Sequence, residues 1–248
     1  MSFHTAAFTG TVAASSETEL TPISDGILAI ANSRFFPQRN MQLLYTGATC
    51  TDLQRARWRT PKFRQITTPY IRPFDDSGVF ASDTEIADYT RNPLVFAALE
   101  EIELLMFQDN ASTQEGYTVV GMTESSVPAP SGDIYTLRGT HSTTLAAANW
   151  TNTEMTWQDS LPAGRYSVVG MMYFGATAKA ARLIMDQEFF RPGCCGWADP
   201  QNQTDQIFRY GRLGEYGKFD SNRMPVIEAL ASSADTSGEV YLDIIRTG

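Results

Sequence analysis

Three glycines, Gly211, Gly214 and Gly217, fall in a GxxGxxG spacing within RYGRLGEYGKF. Such a spacing cradles a phosphate when a helix follows and aims its N-terminal amides at the anion. Here Asp220-Ser221-Asn222 and Pro225 follow instead, so tight turns between aromatics are expected. Glu100, Glu101 and Glu103 are close in sequence. Glycoside hydrolysis needs two carboxylates facing each other roughly 5–9 Å apart across a cleft. Sequence neighbours do not supply that arrangement, and a solvated or interface-paired acidic run is the expectation. Cys50 stands alone and Cys194-Cys195 are adjacent. Adjacent cysteines close a ring only under strain, so all three are read as free thiols. His4 and His141 are the only histidines, too few for a centre built on several imidazoles. No GxSxG, HExxH, P-loop or EF-hand pattern occurs. These features lead away from an enzyme and from a bound cofactor or metal. Trp58, Trp150, Trp157, Trp197, Tyr210 and Tyr216 are able to stack on sugar rings, although aromatics in β-rich chains more often fill cores or interfaces.

Charge narrows the partners. The 248 residues carry a net charge of −9, and only Lys62, Lys179 and Lys218 of the 19 basic residues are lysine. A strong nucleic-acid binder is basic, so wholesale phosphate neutralisation is not expected. Arginine is favoured over lysine at protein interfaces because its planar fork pairs well and is less heavily hydrated. The charge is also segregated. Residues 34–72 hold eight basic side chains against Asp52, and residues 73–124 hold eleven acids against Arg91. The two blocks either pair within the fold or meet complementary blocks on another copy; contact of the arginines with phosphate is the third reading. Arg55, Arg57 and Arg59 share one face if the segment is a strand.

The elements that position these residues read as β-strands. Leu161–Met185 places two apolar runs around the small-residue turn Gly175-Ala176-Thr177-Ala178. It reads as a hairpin whose first strand is apolar on both faces and must be covered on both. Either Val168, Gly170 and Met172 or Val169, Met171 and Tyr173 form its inner face. EIELLMF and YTVVGMT read as a second hairpin, and VVGM recurs at Val119–Met122 and Val168–Met171 as a weak internal repeat. Asn92-Pro93 reads as a helix start, with a short helix passing into a strand near Glu101. Pro69 and Pro73 make 65–74 an edge or irregular strand. Residues 1–25, rich in Thr, Ser and Ala, read as an extended arm, without the basic residues that hold a genome by charge. No signal peptide is expected from the N-terminus, and no apolar run reaches the ~18 residues of a membrane helix. SSVPAPSGD at 125–133 reads as a linker, and 189–225 as a long loop dense in Gly, Pro and aromatics. Val240, Leu242 and Ile244 alternate against Glu239, Tyr241 and Asp243 in a terminal strand.

With LPAGRYSVVGMMYF, AARLIM, the Arg191-Pro192-Gly193 turn, the aromatic and glycine-rich loop and EVYLDII in place, the whole chain resembles the jelly-roll major capsid proteins of small tailless icosahedral viruses, phages above all. The resemblance implies an all-β jelly-roll sandwich, with a double jelly roll favoured over a single one carrying large insertions. The divisions are an arm at 1–25, sandwiches at 26–124 and 134–248, and the linker between them. It implies a homo-oligomer, a trimer with a pseudo-six-fold outline, that tiles a virion shell with other capsid subunits, with minor capsid proteins and an internal membrane as further partners. It carries over no catalytic residue. Candidate assembly-interface residues are Arg55, Arg57, Arg59, Arg64, Arg191, Trp197, Tyr210 and Tyr216. Reversing the charge of Arg55, Arg57 and Arg59 is expected to leave the monomer folded and block assembly. The competing reading is a monomeric β-sandwich that binds glycans.

Overall fold

The computed structural model describes residues 3–25, 29–31, 34–37, 39–63, 70–72, 85–125, 128–185, 190–198 and 207–248. These form twenty strands, and the only helical segment among them is a 3-10 turn at Pro61–Phe63. The chain is all-β and divides into two units, one of Ala6–Val120 and one of Met1–Thr5 with Gly121–Gly248.

The N-terminal unit is built from β1 (Phe3–Val12), β2 (Glu17–Pro22), β5 (Met41–Thr49), β6 (Leu53–Arg59), β7 (Tyr70–Arg72), β8 (Glu85–Asp88), β10 (Glu103–Gln108) and β11 (Gln114–Thr123). The short pair β3 (Ala29–Ala31) and β4 (Arg34–Phe36) and the strand β9 (Leu94–Phe96) are additions to this set. One sheet runs β1-β11-β5-β8 and the other β2-β10-β6-β7. Counting the eight main strands in order, these are 1-8-3-6 and 2-7-4-5, the interleaving of a jelly roll with its two Greek keys. Two residue pairs between β1 and β2 join the sheets at one corner. Trp58 anchors this core: it is fully buried, donates from Nε1 to Thr46 Oγ1 at 3.2 Å, and sits between Phe8 and Phe96 at 6.1 and 5.5 Å.

The C-terminal unit repeats the scheme with β12 (Ile134–His141), β13 (Thr151–Thr153), β15 (Arg165–Phe174), β16 (Ala178–Ile184), β17 (Gly193–Trp197), β18 (Gly217–Asp220), β19 (Val226–Ala231) and β20 (Gly238–Arg246). β14 (Met155–Trp157) is the extra strand and pairs with β12. The sheets run β12-β20-β15-β18 and β13-β19-β16-β17, again 1-8-3-6 and 2-7-4-5. The protein is therefore a double jelly roll by strand order alone.

That order corrects several sequence expectations. β15 and β16 are not a hairpin: β15 pairs with β20 and β18, while β16 pairs with β19 and β17 in the other sheet, and two parallel pairs, Tyr173 with Gly196 and Phe174 with Trp197, join β15 to β17 where the sheets meet. The Gly175–Ala178 turn carries the chain across the sandwich. β10 and β11 likewise lie in opposite sheets. The two VVGM segments occupy the eighth strand of one roll and the third of the other, so the echo marks no equivalent position. Both strands are central and buried on both faces, which selects the same small and apolar residues. No helix forms at 92–105; β9 and β10 occupy the segment, and Leu99 between them takes a left-handed φ of 60°. Residues 3–22, expected as an arm, are β1 and β2, with Phe3, Ala6, Ala7, Phe8, Val12 and Leu20 buried. Threonine is as much a strand residue as a loop residue, and Thr5 is fully buried. The 189–225 segment contains β17 and β18, the fifth and sixth strands of its roll.

The inner face of β15 follows from its register. Met171 and Tyr173 oppose Leu242 and Val240, whose side chains are fully buried, while Gly170 and Met172 oppose Asp243 and Tyr241. An irregularity between Val168 and Gly170 shifts the phase, and Val168 opposes the buried Ile244. Val168, Met171 and Tyr173 therefore face the core, a mixture of the two alternating sets, because a bulge adds one residue to the count. Burying each such side chain contributes roughly 1.5–3 kcal/mol.

Candidate functional site

The arginine block is the largest chemical feature of the sequence, and β6 puts Arg55, Arg57 and Arg59 on one face. β10 lies between β6 and β2, with Arg55 opposite Phe107, Arg57 opposite Leu105 and Arg59 opposite Glu103. On the far side of β10, Glu17 and Glu19 oppose Phe107 and Leu105. The side chains reach across this middle strand. Arg57 grips Glu17 with both ends of its fork, Nε to Oε1 at 2.9 Å and Nη2 to Oε2 at 2.6 Å. Arg59 bonds the buried carboxylate of Glu103 through Nε and stands 3.9 Å from Glu19. Arg55 lies over the Phe107 ring at 4.5 Å and 3.6 Å from Glu17. The block pairs within its own unit, mostly with acids of the segment expected as an arm. Arg64 lies outside the described residues.

The other candidates divide. Trp197 and Tyr216 are each 3% exposed and belong to the C-terminal core. Trp197 packs against Phe174 and Phe208, and Tyr216 meets Phe3 edge-on at 5.1 Å. Burial holds the Tyr216 hydroxyl well above its ordinary pKa. Both side chains are spent inside their own unit. The Arg191 side chain is largely buried too; its Nε lies 3.9 Å from Glu228, and its carbonyl accepts from Thr5 N–H at 2.7 Å. Tyr210 is 57% exposed, with the Arg209 guanidinium 4.4 Å over its ring. The spaced glycines form turns as expected: Gly211 and Gly214 have φ of 77° and 90°, and Gly211 N–H donates to Val169 O at 2.6 Å.

Two buried ionic clusters have no signal in the sequence. Asp243, fully buried on β20, accepts from Arg209 Nε at 2.5 Å, Arg209 Nη2 at 2.8 Å, Thr136 Oγ1 at 2.8 Å and Tyr210 N–H at 3.2 Å. This pins residues 207–216 over the outer face of β15, where a Cβ on Gly170 would stand 2.6 Å from Asp243 Oδ2 and 2.9 Å from Phe208 O. Arg182, 1% exposed on β16, donates to Glu228 at 2.7 Å and Thr5 O at 3.2 Å, and lies 4.0 Å over Trp150. In each case the polar residue sits at an outward position of a regular strand and looks solvent-facing until a distant segment covers it.

His141 is 5% exposed, with Nε2 3.2 Å from Tyr173 Oη. Burial lowers its pKa below the ordinary 6.5, against the upward pull of the Thr143 backbone and the Asp235 carboxylate. A lowered native value makes the neutral form the stabilising one. That stabilisation is complete above pH 6.5 and is lost as pH falls from there through the native value. In urea titrations at several pH values, His141→Gln is expected to flatten the acid-side fall in stability; an unchanged slope would refute the assignment.

No protein family and no curated protein matches the sequence. Among solved structures, the chain is similar to the major capsid protein of bacteriophage PM2 over 98% of its own length and 97% of that chain, at 9% identity and a TM-score of 0.29. It is similar to the STIV MCP over 99% and 97%, at 9% identity and a TM-score of 0.25. A structure of Sulfolobus Turreted Icosahedral Virus matches over 99% and 80%, at 8% identity and a TM-score of 0.21. The jelly-roll assignment rests on the strand orders given above and not on these likenesses.

Proposed function

We propose that the protein is a major capsid protein, a structural rather than catalytic chain that assembles into the shell of a tailless icosahedral virus. The observation that carries the reading is the tandem of two complete jelly rolls within 248 residues. Each roll confines its connections to its ends and closes its core between two four-stranded sheets. Two such bricks in one chain make a tile that meets other copies along its sides. Assembly through many such contacts tolerates weak individual ones.

The basic unit is a trimer, three chains giving six rolls and hence a pseudo-six-fold tile. Strong nucleic-acid binding is not part of the function. The net charge is −9, and Arg55, Arg57 and Arg59 are engaged with Glu17, Glu19, Glu103 and Phe107. Trp58, Trp197 and Tyr216, which a glycan-binding module would display, are packed inside. Light scattering coupled to gel filtration, followed by electron microscopy, tests the proposal. Purified protein is expected as trimers at three times 27.4 kDa or as closed particles. A monomer at every concentration that binds immobilised glycans would overturn it.

A further inference from the structure

The chain passes between its two units twice, at Val120–Gly121 within β11 and at Thr5–Ala6 within β1. β1 is otherwise a strand of the N-terminal roll. Phe8 and Thr9 pair with Pro22 and Thr21 of β2, and Ala7 O accepts from Ile23 N–H at 2.8 Å. Residues 3–5 at its start belong instead to the C-terminal unit. Phe3, His4 and Thr5 are all buried there, although one is a histidine and one a threonine.

Each of the three residues is met by a different part of the C-terminal roll. Phe3 meets the Tyr216 ring edge-on at 5.1 Å. His4 forms a parallel bridge with Arg191, and Thr5 N–H donates to Arg191 O at 2.7 Å. Thr5 O accepts from Arg182 Nη1 at 3.2 Å, 177 residues away in sequence. An extended segment held by main-chain bonds, with one side chain as its anchor, is the mode by which sheets bind peptides. The receiving groups are fixed by their own roll. Arg182 donates to Glu228 Oε2 at 2.7 Å and lies over Trp150. Tyr216 N–H donates to Val168 O at 2.8 Å, and Leu183 N–H donates to Pro192 O, next to Arg191, at 2.7 Å. Walls held in place by other bonds lose little freedom when the segment docks.

We infer that the C-terminal roll carries a binding site for an extended peptide with an aromatic anchor, and that its ligand is the chain's own N-terminal segment, Phe3-His4-Thr5. A contact of three residues is small. It is sustained because the chain tethers the segment and so supplies a high effective concentration. With the segment withdrawn, Arg182 Nη1 and the Arg191 carbonyl lose these bonds, and the Tyr216 ring loses Phe3 as its cover. The receiving residues 182–216 lie in the last third of the chain. Docking therefore joins the first residues made to some of the last, and it completes the C-terminal roll only in a chain that has both. The inference stands apart from the capsid reading.

Hydrogen-exchange mass spectrometry on the full chain carrying Phe3→Ala tests the site. Amides of β16, β17 and residues 207–220 are expected to exchange roughly a hundredfold faster, as for truncation of a buried Phe, while those of β5, β6 and β10 keep their rates. Faster exchange in β5, β6 and β10 rather than in the C-terminal strands, or no change in either, overturns the assignment. A chain lacking residues 1–5 is then mixed with the synthetic peptide MSFHTAAF. The peptide is expected to bind one-to-one and to slow exchange in the same C-terminal strands, and the peptide with Phe3→Ala is expected to do neither. A truncated chain that exchanges like the unaltered protein, or that stays unprotected at millimolar peptide, overturns the site. Should truncation prevent folding, Thr5→Pro in the full chain takes its place, since it removes the N–H given to Arg191 O. Faster exchange in β16 and β17 supports the site, and unchanged exchange there overturns it.

Discussion

Asp243→Ala is expected to destabilise the C-terminal jelly roll by about 3–5 kcal/mol, the range for removing one partner of a buried ion pair. The size follows from what is left behind. The Arg209 side chain is 11% exposed and would keep its charge without its carboxylate. Thr136 Oγ1 and Tyr210 N–H would lose the same acceptor. The effect is also directional. Residues 207–216 are held over β15 by Asp243 together with backbone bonds from Met171 N–H to Phe208 O and Gly211 N–H to Val169 O. Loss of the carboxylate should therefore open this cover before the sheet itself melts. Urea denaturation supplies the free energy, and limited proteolysis supplies the location, with new cleavage expected within 207–216. Asp243→Leu combined with Arg209→Met, which removes both charges, is expected to recover most of the loss, since a buried pair replaced by apolar residues is often close to neutral. A loss below about 1 kcal/mol for Asp243→Ala, ordinary for a hydrogen bond but not for a buried ion pair, would refute the pin.

The same residue shows what the sequence does and does not disclose. In EVYLDII, Val240, Leu242 and Ile244 announce a strand with one inner face, and the register against β12 and β15 agrees. Asp243 falls on the other face, where an acid normally meets water. Its burial depends on Arg209, 34 residues earlier, arriving over that face. No local pattern encodes such an encounter. The Gly175–Ala178 turn is ambiguous for a related reason. Small residues suit a tight turn whether it returns the chain within one sheet or carries it to the opposite one. The strands on either side show the same alternation in both cases, so the hairpin reading and the jelly-roll crossing differ only in long-range pairing. At Val168–Gly170 the register irregularity breaks the period of two, and no rule of alternation could have selected the inner face. What was legible was the two-sided burial of β15, because a strand apolar on both faces has no other stable place.

The candidate surface was legible in the opposite sense. Aromatic and arginine side chains are enriched at interfaces, yet the same chemistry serves a thin sandwich internally. Trp197 and Tyr216 fill the core, and Arg182 lies over Trp150. Of the aromatic candidates Tyr210 is exposed, and the other exposed large apolar side chains among the described residues are Val95, Leu99, Ile134, Tyr135 and Val226, in segments whose sequence reads as ordinary strand, helix or loop. Exposure is a property of the assembled fold, and an apolar residue left outside carries no mark in its neighbours.

Reversing Arg55, Arg57 and Arg59 to glutamate together is expected to unfold the N-terminal jelly roll, and not only to prevent assembly of an otherwise normal monomer. The three guanidinium groups are set against Glu17, Glu19 and Glu103 within one sheet. The reversal would place three new carboxylates among these acids, one of them opposite Glu103, whose side chain is 1% exposed. The half-exposed Arg55 and Arg59 contacts with Glu17 and Glu19 count for little, of the order of 0.2–1 kcal/mol each. The largest share comes from Glu103, which would keep its buried charge and lose the Arg59 guanidinium, a loss of the kind worth about 3–5 kcal/mol. Loss of the bidentate Arg57–Glu17 pair adds to it. Calorimetry should show the transition of one unit lost or strongly shifted, with the C-terminal unit still melting. Reversing Glu17, Glu19 and Glu103 to arginine in the same chain restores opposite signs across the sheet and should restore that transition. A triple variant that melts like the unaltered protein yet fails to assemble would return these arginines to the surface between copies, and the ladder across β6, β10 and β2 would then be incidental to the fold.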